Sequence, residues 1–226
     1  MVSADIRAFI FDLDGVIADT AEFHFRAWKR LADEEGIPFN RQANDQLRGV
    51  SRRESLKRIL KGRAIDEATA EAWMTRKNNY YLDYLDTLTP QDCLPGVVAF
   101  LAATRQQGIR IGLGSASKNA ALVLEKLDLK VMFDAVGDGY SVARTKPAPD
   151  LFVWVAGALH ASPAQAVVFE DAEAGIDAAL TGGFWTVGIG SAEVNRAHIT
   201  AAGLASLTLA DLMAQLNAAV ARQTGG

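Results

Sequence analysis

The stretch IRAFIFDLDGVIADT, residues 6–20, decides the fold. Ala8-Phe9-Ile10-Phe11 is a short apolar run without polar alternation, the pattern of a strand buried on both faces. It stops at Asp12-Leu13-Asp14-Gly15, so two carboxylates stand one residue apart where a buried strand ends. Like charges this close destabilise each other and raise each other's pKa. Taking a carboxylate out of water costs on the order of several kcal/mol unless a partner compensates. The pair is therefore either solvated on a turn or arranged around a positive charge.

Outward from this strand the chain divides into two textures. TAEFHFRAWKRLADEEG sets Phe23, Ala27, Leu31 and Ala32 on one helical face and ends at Gly36. SRRESLKRILKG follows, with Ser51 as N-cap and Glu54 three residues on, the spacing of a capping box. DEATAEAWMTRKNNYYLDYLDTL is a third helical run, and residues 20–88 contain no convincing strand. From about residue 95 strand and helix alternate. PGVVAFLAATRQQG, KNAALVLEKLDL, APDLFVWVAGALHAS and AGIDAALTGG read as helices; IRIGLGS, DAVGDG, AVVFED and FWTVGIG read as strands. AGLASLTLADLMAQLNAAVAR is expected to hold a last short strand and a helix. Apolar strands alternating with helices predict a parallel sheet covered on both faces. The helical block then reads as an insertion after the first strand.

Bulk properties agree with this. A chain of 226 residues suits one large domain or a domain carrying an insertion. Half the residues are hydrophobic and 22% are charged, which supports an ordinary globular core. A formal net charge of −4 gives no basic footprint for nucleic acid. Cys93 is the single cysteine, which excludes an internal disulfide and a cysteine metal cage. No basic segment with a secretory apolar core opens the chain, and no apolar run reaches membrane-spanning length. The expected compartment is the cytoplasm, the expected partners are small molecules rather than nucleic acid or membrane, and the default state is a monomer.

In a parallel α/β sheet, ligands bind outside the carboxyl ends of the strands. Strand one ends at Asp12 and Asp14, and IRIGLG ends at Ser115-Ala116-Ser117-Lys118-Asn119. The segment after DAVGDG carries Lys146, and AVVFED ends at Glu170-Asp171. Each alone has a bland reading: a DxD in a turn, a serine helix cap, a solvated lysine, acids at a helix N-terminus. If the strands are parallel the groups converge, and together they bring oxygen ligands suited to Mg²⁺, which takes few protein carboxylates and keeps waters or phosphate oxygens. With a lysine and a helix start nearby, that set fits phosphoryl transfer. One aspartate can attack phosphorus while the other exchanges protons with the entering or leaving oxygen.

FDLDGV, the SAS after an apolar strand, TKPAPD and FEDAEAGI, in that order, resemble the four motifs of the haloacid dehalogenase superfamily. DTAEFHFRAWKRLA, NDQLRGVSRRESL, RKNNYY and SASKN extend the likeness along nearly the whole chain, toward the superfamily's sugar-phosphate mutases. The resemblance implies an α/β protein: a Rossmann-like parallel-sheet core, residues 1–16 and 92–226, with an inserted small α-helical cap domain, residues 17–91. It implies Asp12 as the nucleophile that is phosphorylated and Asp14 as general acid and base. Mg²⁺ would be held by Asp12, Glu170, Asp171 and the backbone carbonyl of Asp14. Ser115, Ala116 and Lys146 would hold the transferring phosphate, and Ser117, Lys118 and Asn119 would extend that surface. From the cap, Arg52 would grip the distal phosphate and His24 would align Asp14. Trp28, Lys77, Asn78 and the LRGVS loop, through Leu47, Gly49, Val50 and Ser51, would contact the sugar phosphate or close over it.

The implied reaction interconverts β-D-glucose 1-phosphate and β-D-glucose 6-phosphate. It runs through an aspartyl phosphate, with β-D-glucose 1,6-bisphosphate as intermediate and activator. The alternative is a sugar-phosphate phosphatase with the same core residues. Arg52, Lys77 and His24 favour the mutase, because a hydrolase has less need of a distal phosphate clamp. A catalytically silent relative would lack Asp12, Asp14 or Lys146, and all three are present. His160 and His198 match no motif. GDGYSVARTKPAP departs from the usual approach to the lysine, and the glycines of GLGS are expected to loosen the strand end before Ser115.

Overall fold

Ala8–Phe11 forms β1, wholly buried, at the middle of a six-stranded sheet. The computed structural model describes residues 5–190 and 194–224. The other strands are β2 (Arg110–Gly114), β3 (Ala135–Gly137), β4 (Ala166–Glu170), β5 (Trp185–Ile189) and β6 (Ile199–Ala201). All pairs are parallel, in the order β3-β2-β1-β4-β5-β6. Phe11 lies opposite both Leu113 and Phe169, and the Asp12 N–H continues the ladder to the Phe169 carbonyl at 2.9 Å. The carboxyl ends of the three central strands therefore stand level. Strand order reverses at β1, the place where such sheets open a ligand crevice.

The period of two in β1 sends its side chains to two cores. Phe9 and Phe11 pack with Phe100, Leu113, Phe169 and Val187 on one face. Ala8 and Ile10 pack with Phe152, Val155, Val168 and Phe184 on the other. Phe11 stacks on Phe169 with ring centroids 4.5 Å apart. The covering helices are α5 (Val97–Gln106), α6 (Ala120–Lys126), α7 (Asp150–Ala158), α8 (Glu173–Thr181) and α9 (Leu209–Thr224), numbered after the four of the inserted block. The glycines of β2 do not loosen it: Gly112 and Gly114 stay in register with Ala135 and Gly137. They make room for α7, since a Cβ on Gly112 would lie 2.5 Å from Val155 and one on Gly114 2.8 Å from Phe152.

Between β1 and α5 stand α1 (Ala21–Glu34), α2 (Arg41–Asp45), α3 (Arg52–Leu60) and α4 (Glu67–Leu85). They have a core of their own, built from Trp28, Leu31, Ala32, Leu56, Ile59, Trp73 and Met74. Tyr81, Leu85 and Leu88 join the sheet's core instead, beside Leu13, Val16 and Ile17. That seam seats the block over the end of β1.

Two local expectations change, and one element was not anticipated. Ser51 caps α3 by accepting the Glu54 N–H at 3.3 Å, but the Glu54 carboxylate takes a hydrogen bond from Arg58 at 3.1 Å, so only half of a capping box forms. An i,i+4 arginine outcompetes a backbone N–H for a half-exposed carboxylate. The last strand lies upstream of the expected stretch, at Ile199–Ala201, where it pairs with Val187–Ile189. The short helix α2 has no buried residue and so leaves no apolar period in the sequence.

Phe169 links β4 to three aromatic rings of the core. Phe169→Ala is expected to cost about 3–5 kcal/mol, read as a lowered urea midpoint at unchanged slope.

Candidate active site

Four strand ends and one helical block build the site. Asp12 leaves β1 nearly buried, 3% exposed, because β2 and β4 flank it on both sides. Glu170, the last residue of β4, is fully buried, and Asp171 follows it. Oxygens of Asp12, Glu170 and Asp171 lie within 4.8 Å of one another. Lys146, also buried, donates to Asp12 Oδ1 at 2.5 Å and to Glu170 Oε2 at 3.1 Å. Burial works to lower the Lys146 pKa, but the Asp12 and Glu170 carboxylates outweigh it and hold the ammonium above the ordinary lysine value.

One lysine does not compensate this cluster. Burial first, and then the Asp12 charge, pushes Glu170 well above the usual carboxylate range. Burial, with Asp12 and Asp14, pushes Asp171 up to about 7 against the opposing charge of Arg48. Glu170 Oε1 is buried and has no hydrogen-bond partner among the described residues. A buried orphan carboxylate oxygen beside two further carboxylates is the donor set of a hard divalent cation, and the residues fit Mg²⁺. Glycine keeps the corner open. A Cβ on Gly15, where φ is +85°, would lie 1.8 Å from Asp171 Oδ2, and one on Gly175 would lie 2.1 Å from Glu170.

The Asp14 carboxylate points away from this cluster. Thr20 Oγ1 donates to its Oδ1 at 2.5 Å, and His24 Nε2 stands 3.7 Å from the same oxygen. Burial and the neighbouring Asp12 push Asp14 up to about 6. His24 is stacked on Tyr81, with centroids 4.0 Å apart, and its Nδ1 is 2.7 Å from Lys77 Nζ. Burial, reinforced by Lys77 and Arg52, holds His24 well below its usual value; burial and Arg52 do the same to Lys77. Lys77 is 1% exposed, with its ammonium 5.1 Å from the Trp28 ring centre and 4.9 Å from that of Tyr81. It forms the floor of the cleft.

The cleft lies between sheet and helical block. Asp12, Asp14, His24, Trp28, Leu47, Gly49, Val50, Arg52, Lys77, Ala116, Ser117, Lys118 and Asp171 line it. Ser51, Asn78, Ser115, Asn119, Lys146 and Glu170 are not part of that lining. Ser115 Oγ accepts the Ser117 N–H at 3.1 Å, and Ser117 Oγ accepts the Asn119 N–H at 3.2 Å. A polar bridge joins block to core: Arg52 donates to Asn78 Oδ1 at 2.6 Å, and Asn119 Nδ2 donates to the same oxygen at 2.9 Å.

Ala21, Asn44, Arg48 and Ser55 of the cleft lining, and Thr20 beside Asp14, escaped the sequence reading. Thr20 precedes α1 and reads as a helix cap, yet it makes no cap hydrogen bond and binds Asp14 instead. Ser55 lies on α3 one turn after Ser51, where a serine reads as a neutral helix residue, and it faces the cleft. Arg48 stands in the LRGVS loop and pairs with Asp171; a cation beside a glycine in a cleft-lining loop was the available signal.

The family match follows this geometry. Residues 6–183 match the haloacid dehalogenase-like hydrolases, and the chain belongs to that family. A β-phosphoglucomutase of Bacillus subtilis is 43% identical over 192 residues, covering 83% of this chain and 85% of that protein. A phosphorylated carbohydrates phosphatase of Thermotoga maritima is 30% identical over 180 residues, 79% of this chain and 82% of that one. The crystal structure of a β-phosphoglucomutase from Clostridium difficile superposes with a TM-score of 0.92 at 38% identity, covering 96% of this chain and 99% of that one.

The raised Asp14 pKa has a thermodynamic sign. A carboxyl moved from 3.8 to about 6 destabilises the fold as pH rises through that window, and the effect vanishes below the unfolded value. Asp14→Asn keeps an acceptor for Thr20 and removes the charge. It is expected to raise Tm at pH 7.5 and leave it nearly unchanged at pH 4, in thermal melts without divalent cations. An equal gain at both values would show that the charge is not responsible.

Proposed function

We propose that this chain is a β-phosphoglucomutase, interconverting β-D-glucose 1-phosphate and β-D-glucose 6-phosphate. The carrying observation is that the site has two separate cations, Lys146 on the Asp12 carboxylate and Arg52 in the cleft lining. Lys146 serves Asp12, and Arg52, bonded to the Asn78 oxygen that Asn119 also reaches, serves a second phosphate. A phosphomutase must hold two phosphates at once, and a hydrolase need not. The likeness to the Bacillus subtilis and Clostridium difficile enzymes supports the same reading.

In this reading Asp12 carries the phosphoryl group and Asp14 carries the proton. Phospho-Asp12 gives its phosphoryl group to the C6 hydroxyl of β-glucose 1-phosphate while Asp14 takes the hydroxyl proton. The product is β-glucose 1,6-bisphosphate, which turns over in the cleft. Asp12 then attacks the C1 phosphate, the C1 oxygen leaves with the proton from Asp14, and phospho-Asp12 is restored. A carboxyl titrating near 6 both gives and takes a proton readily near neutral pH. Thr20 holds it by a hydrogen bond, and His24 Nε2 stands 3.7 Å from the same oxygen. Ser115, Ala116 and Lys146 hold the transferring phosphate, and Lys146 offsets its charge. Ser117, Lys118 and Asn119 extend that surface.

Asp12, Glu170, Asp171 and the Asp14 carbonyl would hold Mg²⁺, which when bound neutralises charge on the phosphoryl oxygens. Trp28, Leu47, Gly49, Val50, Ser51, Lys77 and Asn78 contact the sugar phosphate or close over it. We take residues 17–91 as a cap that moves on the linkers at about 15–20 and 88–95 against a core of residues 1–16 and 92–226. The block's own hydrophobic core supports that division. Closure would exclude water from the phospho-aspartate. The Thermotoga maritima phosphatase keeps the hydrolase in view, because water could take the sugar's place.

One assay separates the two. Protein, Mg²⁺, β-glucose 1-phosphate and a trace of β-glucose 1,6-bisphosphate are mixed, and glucose 6-phosphate and free phosphate are followed together. Glucose 6-phosphate without matching phosphate release is expected; phosphate release without glucose 6-phosphate would establish the hydrolase. Asp12→Asn is expected to lower turnover by at least about 10³-fold. Arg52→Ala is expected to weaken apparent binding of the bisphosphate by about 10–100-fold, the loss of a charge-assisted phosphate contact.

A further inference from the structure

Arg48 sits in the loop between α2 and α3, and its guanidinium Nη2 donates to Asp171 Oδ2 across the cleft. The Asp171 side chain is 6% exposed and that of Arg48 is 30% exposed, so the pair joins a solvent-reached arginine to a buried carboxylate. The contact falls at a crowded point. The Cβ position of Gly15 is 1.8 Å from Asp171 Oδ2 and 3.4 Å from Arg48 Nη2. Gly49, next to Arg48, adopts φ +72°, and its Cβ position lies 3.3 Å from Ala172 and 3.6 Å from Glu170 Oε1. The loop thus rests its backbone directly on the acidic corner.

Asp171 is also one of the three carboxylates that fit a divalent cation. A guanidinium and a dication repel, most strongly in low dielectric, and here both would draw on one carboxylate. We propose that Arg48 and the divalent cation are alternative partners of Asp171: Arg48 ties the helical block to the core when the ion is absent, and ion entry displaces it. This inference rests on the divalent-metal reading of Asp12, Glu170 and Asp171. The planar fork of arginine suits the role, since it pairs directionally with a carboxylate and keeps its charge at any working pH. Ion loading and the loop's grip on the core then oppose each other, and Mg²⁺ affinity is set partly by the strength of this pair.

Two measurements on Mg²⁺ alone, without substrate, test it. Calorimetric titration gives the Mg²⁺ affinity of the parent protein, of Arg48→Met, which keeps the stem, and of Arg48→Lys, which keeps the charge. Hydrogen–deuterium exchange follows the amides of residues 47–51 with and without Mg²⁺. Arg48→Met is expected to bind Mg²⁺ roughly three- to tenfold more tightly. In the parent protein Mg²⁺ is expected to speed exchange at 47–51; in Arg48→Met exchange is already fast and Mg²⁺ leaves it unchanged. Arg48→Lys should lie between. Equal affinities in all three, or slowed loop exchange on adding Mg²⁺ to the parent, would overturn the proposal. So would tighter binding by Arg48→Met with no effect of Mg²⁺ on the parent loop, which would reduce Arg48 to a distant repelling charge. If Mg²⁺ binds the parent and Arg48→Met equally, the metal reading stands and only the role of Arg48 fails; if it binds neither, both fail.

Discussion

Burying three carboxylates beside one lysine is the constraint on which the rest of the structure turns. Asp12, Glu170 and Asp171 are at most 5% exposed, and Lys146 is the buried cation bonded directly to two of them. Such a cluster is unfavourable unless every oxygen has a donor or a metal. It exists here because the parallel register of β1 with β2 and β4 brings Asp12 and Glu170 level, and because glycines at 15 and 175 leave no Cβ to force the carboxylates apart. The aromatic layer beneath, Phe9, Phe11, Phe100 and Phe169, keeps those strand ends from relaxing. The corner is thus a stored demand for positive charge, which a divalent cation would satisfy.

The helical block answers the same demand from the other side. Its cations are graded by burial. Lys77, deep against Trp28 and Tyr81, shares a contact with His24; Arg52 donates to Asn78, whose oxygen Asn119 also reaches; Arg48 reaches the acidic corner itself. The seam of Tyr81, Leu85 and Leu88 against Leu13 and Ile17 sets the block over the end of β1, so the ring of His24 stands near Asp14. Packing between the two units is therefore part of the site.

Much of this was legible in the chain. Apolar runs ending in acids or small hydroxyls gave the strand ends, because a doubly covered parallel strand carries no polar alternation. The helical block was legible from its 3.6-residue period and from its lack of strand-like runs. The motifs placed the polar residues on four separate strand ends, and the parallel sheet gathers them. Features without a sequence period were missed or misplaced. These include α2, which buries nothing, and β6, a three-residue edge strand. Glu54 took an arginine rather than the backbone of its own cap. The glycines of β2, read as loosening, are spacers for Val155 and Phe152 of α7, a contact between segments about 40 residues apart that no local pattern records.

By itself the sequence determined most of the order of strands and helices, the strand-free helical stretch after the first strand and the kinds of group at each strand end. These depend on local periodicity and on residue chemistry, which are properties of neighbours in the chain. The tertiary structure alone decided that Thr20 binds Asp14 rather than capping α1, that Lys77 is a buried floor rather than a reaching arm, and that Arg48 crosses to Asp171. Each of those outcomes is a competition among partners tens of residues apart, settled by burial and charge once the helical block is seated on the sheet.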